Sequence, residues 1–183
     1  DRSKTRILAF LNIAGSGLSG KPTQEDLGDM DPDKASEVIS QYPDILVGVK
    51  IGHYEGKEWT PFDYALKACT KSNVPLLVEC HLPQYSLADQ LNRMRSGDII
   101  THSFEKVSER MSVIDEQGKV RPFVKDAQKK GVLFDVGHGG AGFWFSEAIP
   151  ALQQGLLPNS FGTDLHRFSM NAGMKDMLNV MSK

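Results

Sequence analysis

The stretch Ile45–Ile51, ILVGVKI, is apolar almost throughout, and its one charge, Lys50, falls next to its C-terminal end. A strand with one wet face alternates apolar and polar residues, whereas a strand buried on both faces does not. ILVGVKI therefore predicts a strand inside a parallel sheet. Five other runs read the same way: Arg6–Ile13 (RILAFLNI), Val74–Glu79 (VPLLVE), Asp98–His102 (DIITH), Val132–Val136 (VLFDV) and Ser160–Leu165 (SFGTDL).

Helical patterns fill the gaps. Asp33–Tyr42 follows a DPD start, with Pro32 near the first turn. Thr60 is a good N-cap before Pro61, with Phe62, Ala65, Leu66 and Cys69 at helical spacing. Ser86 caps Leu87–Met94. Val120–Lys130 turns basic at its end and stops at Gly131, as a helix dipole and a left-handed cap prefer. Phe143–Gln154 and Ser169–Met181 are the last two, and Pro150 is expected to kink or divide the former.

Strand and helix thus alternate, which means a parallel sheet with right-handed crossovers. The expected fold class is α/β of the (β/α)8 TIM-barrel type, incomplete, with about six βα units and the first strands missing. The alternative is an open doubly wound parallel sheet. A full barrel needs roughly 250 residues, and this chain has 183. No composition shift divides it, so residues 1–183 read as one barrel domain, part of a longer polypeptide. Such a fragment would have open sheet edges, which favour association with another chain, a homo-oligomer included.

Composition narrows the partners. Lys plus Arg number 21 and Asp plus Glu 23, a net charge of -2. A nearly neutral chain without a basic run is a poor binder of nucleic acid or anionic membrane. No apolar run approaches the roughly 18 to 20 residues of a membrane span, and no signal segment is visible, so the expected location is cytoplasmic. The two cysteines, Cys69 and Cys80, form no CxxC.

Polar residues gather at strand ends: Asn12, Lys50, Glu79 with His81, His102, His138 after Asp135, and Asp164 with His166. In both parallel architectures the active site lies at that edge. Neutral imidazole and carboxylate suit zinc, manganese or iron. Such a metal brings the pKa of bound water near 7, and the hydroxide attacks a carbonyl. Asp164 is the natural proton carrier. Lys50 on a buried strand end needs a partner or a modification; it reads as a catalytic amine or as a carbamate made from CO2.

The runs VGVKIG, PLLVECHLP, SGDIITHSF, FDVGHGGAGFWF and FGTDLH, in this order, resemble the amidohydrolase superfamily. The likeness is to its dihydroorotase-like and D-aminoacylase-like members, the amidohydrolase/deacetylase metallohydrolases. It covers the whole chain and implies a distorted (β/α)8 barrel with one or two divalent metals, usually zinc. It implies that Lys50 is carboxylated and bridges metals, and that His102 is a ligand. It further implies that Asp164 both ligates and shuttles the proton. His138, in GHGG, would meet a small-molecule substrate, with Gly139, His166 and Asn12 nearby. The family's His-x-His pair occurs nowhere in this chain, as expected if the first strands lie upstream. Where the family has a fifth-strand His, this chain has Glu79; His81 lies two residues on and on the same face of an extended strand. Either is a candidate ligand.

The expected activity is metal-dependent hydrolysis of an amide, cyclic amide or acyl ester. Two other classes compete. Lys50 with the Gly137–Gly140 turn would suit a Schiff-base lyase or aldolase, and Glu79 with the absent His pair would suit a non-catalytic barrel-derived binding domain. The GxGxxG match at Gly15–Gly20 is weak, because no helix opens on that loop. His53 reads as a loop residue, Cys80 as a small buried hydrophobe, and Phe143–Phe145 as packing.

Overall fold

The computed structural model describes residues 3–18, 23–79, 85–108, 110–171 and 173–183. The chain forms two compact units, Asp1–Gln84 and Tyr85–Lys183.

The first unit is a parallel sheet with helical crossovers. Strand β1 (Ala9–Asn12) leads through two 3-10 turns to helix α1 (Pro32–Gln41). Strand β2 (Leu46–Ile51), helix α2 (Thr60–Ser72) and strand β3 (Leu76–Glu79) follow. Strand β2 is central, pairing with β1 on one side and β3 on the other. Asn12 is opposite Lys50, and Lys50 is opposite Leu77. The helices start where local chemistry supplies partners for their first N–H groups. The Asp31 carboxylate accepts from Asp33 and Lys34 N–H at the head of α1. Helix α2 ends at Asn73, a left-handed cap. Phe62, Ala65, Ala68 and Cys69 of α2 and Val49, Ile51, Leu76 and Val78 of the sheet are fully buried.

In the second unit, helix α3 (Leu87–Arg93) leads to strand β4 (Ile99–Thr101). Helix α4 (Pro122–Lys130), strand β5 (Leu133–Phe134), helix α5 (Phe145–Gln153) and helix α6 (Met177–Ser182) follow. Ser86 caps α3 through its hydroxyl, and α4 stops at Gly131 in the left-handed region. Strands β4 and β5 are parallel. Ile100, Val124, Ala127, Phe134, Val136, Ala148, Ala151 and Leu156 form the core.

Four expectations need correction. Ser160–Leu165 is not a regular strand; it makes one isolated parallel bridge, Asp135 to Ser160. It still runs beside β5, because Val136, His138 and Gly139 donate their N–H groups to Ser160, Gly162 and Thr163 carbonyls at 3.1, 2.9 and 3.0 Å. Pro150 does not divide α5, which continues across it to Gln153. Ser169–Met181 is not one helix: Gly173 and Lys175 take positive φ, leaving a 3-10 turn at Ser169–Asn171 and the short α6. Thr60 is the first helical residue of α2 rather than its cap, and Trp59 at the cap position does not cap the helix through its side chain.

Candidate active site

In the first unit, the end of β2 meets the end of β3 through side chains. The Lys50 ammonium is ion-paired with Glu79 Oε1. His53 Nε2 lies 2.9 Å from Glu79 Oε2. Burial opposes ionisation of Glu79. The His53 hydrogen bond and the Lys50 charge outweigh it and hold the carboxyl far below the usual carboxylate range. Gly52 makes room for this, since a Cβ there would lie 2.9 Å from Glu79 Cδ. Asn12 uses its Oδ1 to accept from Ala14 N–H at 2.8 Å, while its Nδ2 is buried without a partner among the described residues. His53 sits in a loop just after β2, as the sequence suggests. Its role on Glu79 was not legible, because a left-handed turn (φ 61°) folds it back. His81 and Cys80 lie outside the described residues, as does Gly20.

In the second unit, His102 follows β4 and is buried. Its Nδ1–H donates to the Gly137 carbonyl at 2.6 Å, which fixes the orientation of the ring. A Cβ at Gly137 would sit 2.1 Å from Thr101 Oγ1, and its φ is +49°. His138 donates from Nδ1 to the Gly139 carbonyl at 2.9 Å, and its Nε2 accepts from Lys183 Nζ at 2.9 Å. Its ring stacks on Phe143 at 5.3 Å. Phe143 therefore packs on a candidate site residue as well as on Phe104 and Phe145. Asp164 is half-exposed. Its Oδ2 is 3.6 Å from His166 Nε2, and it packs over Gly139, where a Cβ would lie 2.4 Å away.

The backbone carries a second signature. His53, His102 and Asp164 all take positive φ (61°, 58° and 47°), a region that L-residues visit at a cost. Non-glycine residues held there cluster at functional sites, where the surrounding structure over-determines them.

A divalent metal tests these groups. His102 fits as a ligand, because a ring that donates Nδ1–H to a carbonyl is oriented to bind through Nε2. Lys50 as arranged serves Glu79 as an ammonium. A carbamate there would set two anions side by side, which a cation between them would have to offset. Among the described residues, no three His, Cys, Asp or Glu side chains already converge as a metal cluster.

Parallel strands joined by helical crossovers, with polar side chains at their C-terminal ends, define an α/β fold of the barrel type. No known family profile matches the chain. It is 35% identical to a deacetylase of Brucella anthropi over 188 residues, covering 99% of this chain and 46% of the relative. It is 34% identical to a deacetylase of Agrobacterium fabrum with the same coverage. Among solved structures it is similar to a dihydroorotase, with a TM-score of 0.88 and 33% identity over 99% of this chain and 50% of that one. An adenine deaminase matches with a TM-score of 0.88 at 28% identity, again over half of its length. The chain thus spans about half the length of the curated relatives it matches. The resemblance to the amidohydrolase superfamily stands, and so does the incomplete (β/α)8-type fold.

Proposed function

We propose that this chain is part of a single barrel domain that hydrolyses an amide, cyclic amide or acyl-ester bond in a small molecule. The observation that carries this reading is His102, buried at a strand end and tied through Nδ1 to the Gly137 carbonyl, a presentation suited to a metal. The similarity to deacetylases supports the amide bond as the target.

The candidate ligands for a divalent metal, zinc first and manganese or iron otherwise, are Lys50 and either Glu79 or His81 in the first unit, and His102 and Asp164 in the second. When bound, the metal would activate water and polarise the scissile carbonyl. The chain's own residues do the rest. Asp164, half-exposed beside His166, receives the proton from water and delivers it to the leaving nitrogen or oxygen. His138 is held by its stack on Phe143 and its hydrogen bond to Gly139, and it orients the substrate carbonyl once Lys183 releases its Nε2. Asn12 brings a buried amide N–H with no partner among the described residues to the end of β1, a donor for a substrate oxygen. The location we infer is cytoplasmic. The Lys50–Glu79 pair argues against the Schiff-base reading, since an attacking amine must be neutral.

Elemental analysis of protein purified without chelator tests the proposal, with acetate release from N-acetylated amino acids as the activity assay. The expected result is about one equivalent of metal or more, lost in His102→Ala together with activity. Full metal occupancy in His102→Ala would overturn the ligand assignment. Hydrolysis unchanged in Asp164→Ala would overturn the mechanism.

A further inference from the structure

Asp135, just after β5, is a carboxylate that touches each of the chain segments carrying His102, His138 and Asp164. Its Oδ2 accepts from Thr101 Oγ1 at 2.7 Å, and Thr101 immediately precedes His102. Its Oδ1 accepts from Ser160 Oγ at 2.6 Å, and Ser160 opens the segment that ends in Asp164. Its own main chain continues to Gly137, which receives the His102 N–H, and to His138. The backbone repeats this junction: Asp135 N–H donates to Ile100 and Asp135 carbonyl accepts from Ser103 N–H, at 2.9 and 3.1 Å. Space around it is tight. A Cβ at Gly162 would lie 2.9 Å from Asp135 Oδ2.

Two of the residues that this junction serves are in costly backbone conformations. His102 and Asp164 have φ of 58° and 47°. Such conformations persist only where the surroundings over-determine them. The hydrogen bonds that end one residue before His102 and four before Asp164 are both made to Asp135. Ionised, a carboxylate is acceptor-only and so takes both hydroxyl donors at once; an amide in its place keeps a single acceptor oxygen.

We propose that Asp135 is a positioning residue of the site: it clamps the Thr101 and Ser160 hydroxyls, and through them sets the His102 ring and the Asp164 loop. It touches no reacting atom itself. The proposal builds on the hydrolase reading, which supplies the reason for His102 to be oriented, but its geometry is independent of that reading.

The test compares wild-type chain with Asp135→Asn, Thr101→Val and Thr101→Ser. The first readout is the ring 15N and 1H NMR signature of His102, which reports its tautomer and its Nδ1–H bond. The second is kcat and KM for acetate release from an N-acetylated amino acid. Asp135→Asn and Thr101→Val are expected to weaken the His102 Nδ1–H signature and to lower kcat by about tenfold or more, with KM within about twofold. Thr101→Ser, which keeps the hydroxyl, is expected to restore both. A folded Asp135→Asn with the His102 signature and kcat of wild type would overturn the proposal. If Asp135→Asn does not fold, the Thr101 pair decides: equal His102 signatures in Thr101→Val and Thr101→Ser overturn it. Absence of hydrolysis in wild type would count against the hydrolase reading, while the NMR comparison would still decide the role of Asp135.

Discussion

Lys50 and Glu79 form an ion pair between the C-terminal ends of two neighbouring parallel strands, β2 and β3. The carboxylate side chain is 5% exposed and the lysine 19%, so neither charge is fully wet. Removing one partner of such a pair leaves the other charge stranded, at about 3 kcal/mol for a mostly buried site. Lys50→Met is expected to destabilise the chain by about that amount in urea unfolding. Replacing both, as Lys50→Met with Glu79→Leu, is expected to recover most of it. Losses that simply add would show that the two residues do not act as a pair.

The same pair predicts an acid-range signature. Glu79 titrates far below its ordinary value of 4.5 in the folded chain. A carboxyl depressed on folding contributes stability that is present above its unfolded value. That contribution is lost as pH falls toward the folded one. Stability should therefore decline as pH is lowered below 4.5, and Glu79→Gln should flatten that part of the curve. A Glu79→Gln profile parallel to wild type in this range would contradict the assignment.

Gly139 separates backbone cost from site cost. An alanine there would hold φ near +48° and push a Cβ to 2.4 Å from Asp164 Oδ2. The left-handed conformation alone costs about 1 kcal/mol, a Tm loss of about 3 °C at this size. Displacement of Asp164 should lower kcat well beyond what that stability loss explains. Thermal unfolding and steady-state kinetics on Gly139→Ala measure the two parts.

The cap on α3 is a purely structural counterpart. Ser86 Oγ accepts from Asp89 N–H at 3.1 Å and donates to the Asp89 carboxylate at 2.7 Å. Ser86→Ala should cost about 1 kcal/mol and leave hydrolysis untouched. A change in KM would mean that α3 shapes the site.

Much of the fold was legible because it is written in local chemistry. Ser86, Asp31, Pro61 and Gly131 mark helix ends by their own hydrogen-bonding or φ preferences, and the apolar runs mark strands that are buried on both faces. The strand-end positions of Lys50, Glu79 and His102 follow from the same runs. What was not legible depends on turns. Whether His53 reaches Glu79 depends on a single left-handed residue after β2, and no apolar pattern encodes that. The hydroxyls of Thr101 and Ser160 come together on Asp135 across 34 and 25 residues of chain, a non-local pairing that has no spacing signature. That Pro150 does not divide α5 was also not legible: α5 buries Ala148 and Ala151, and one missing N–H does not end it.

The left-handed backbone at His53, His102 and Asp164 bears on how such sites evolve. At each of these positions two selective pressures act on one residue, one for a side chain with the right atoms and one for a backbone that accepts positive φ. Asparagine, aspartate, histidine and glycine meet the second demand better than β-branched residues do. The accessible substitutions are therefore few, and drift toward valine, isoleucine or threonine is closed even where the chemistry has been lost. A lineage that abandons catalysis would leave these positions through asparagine or glycine, preserving the turn while giving up the side chain.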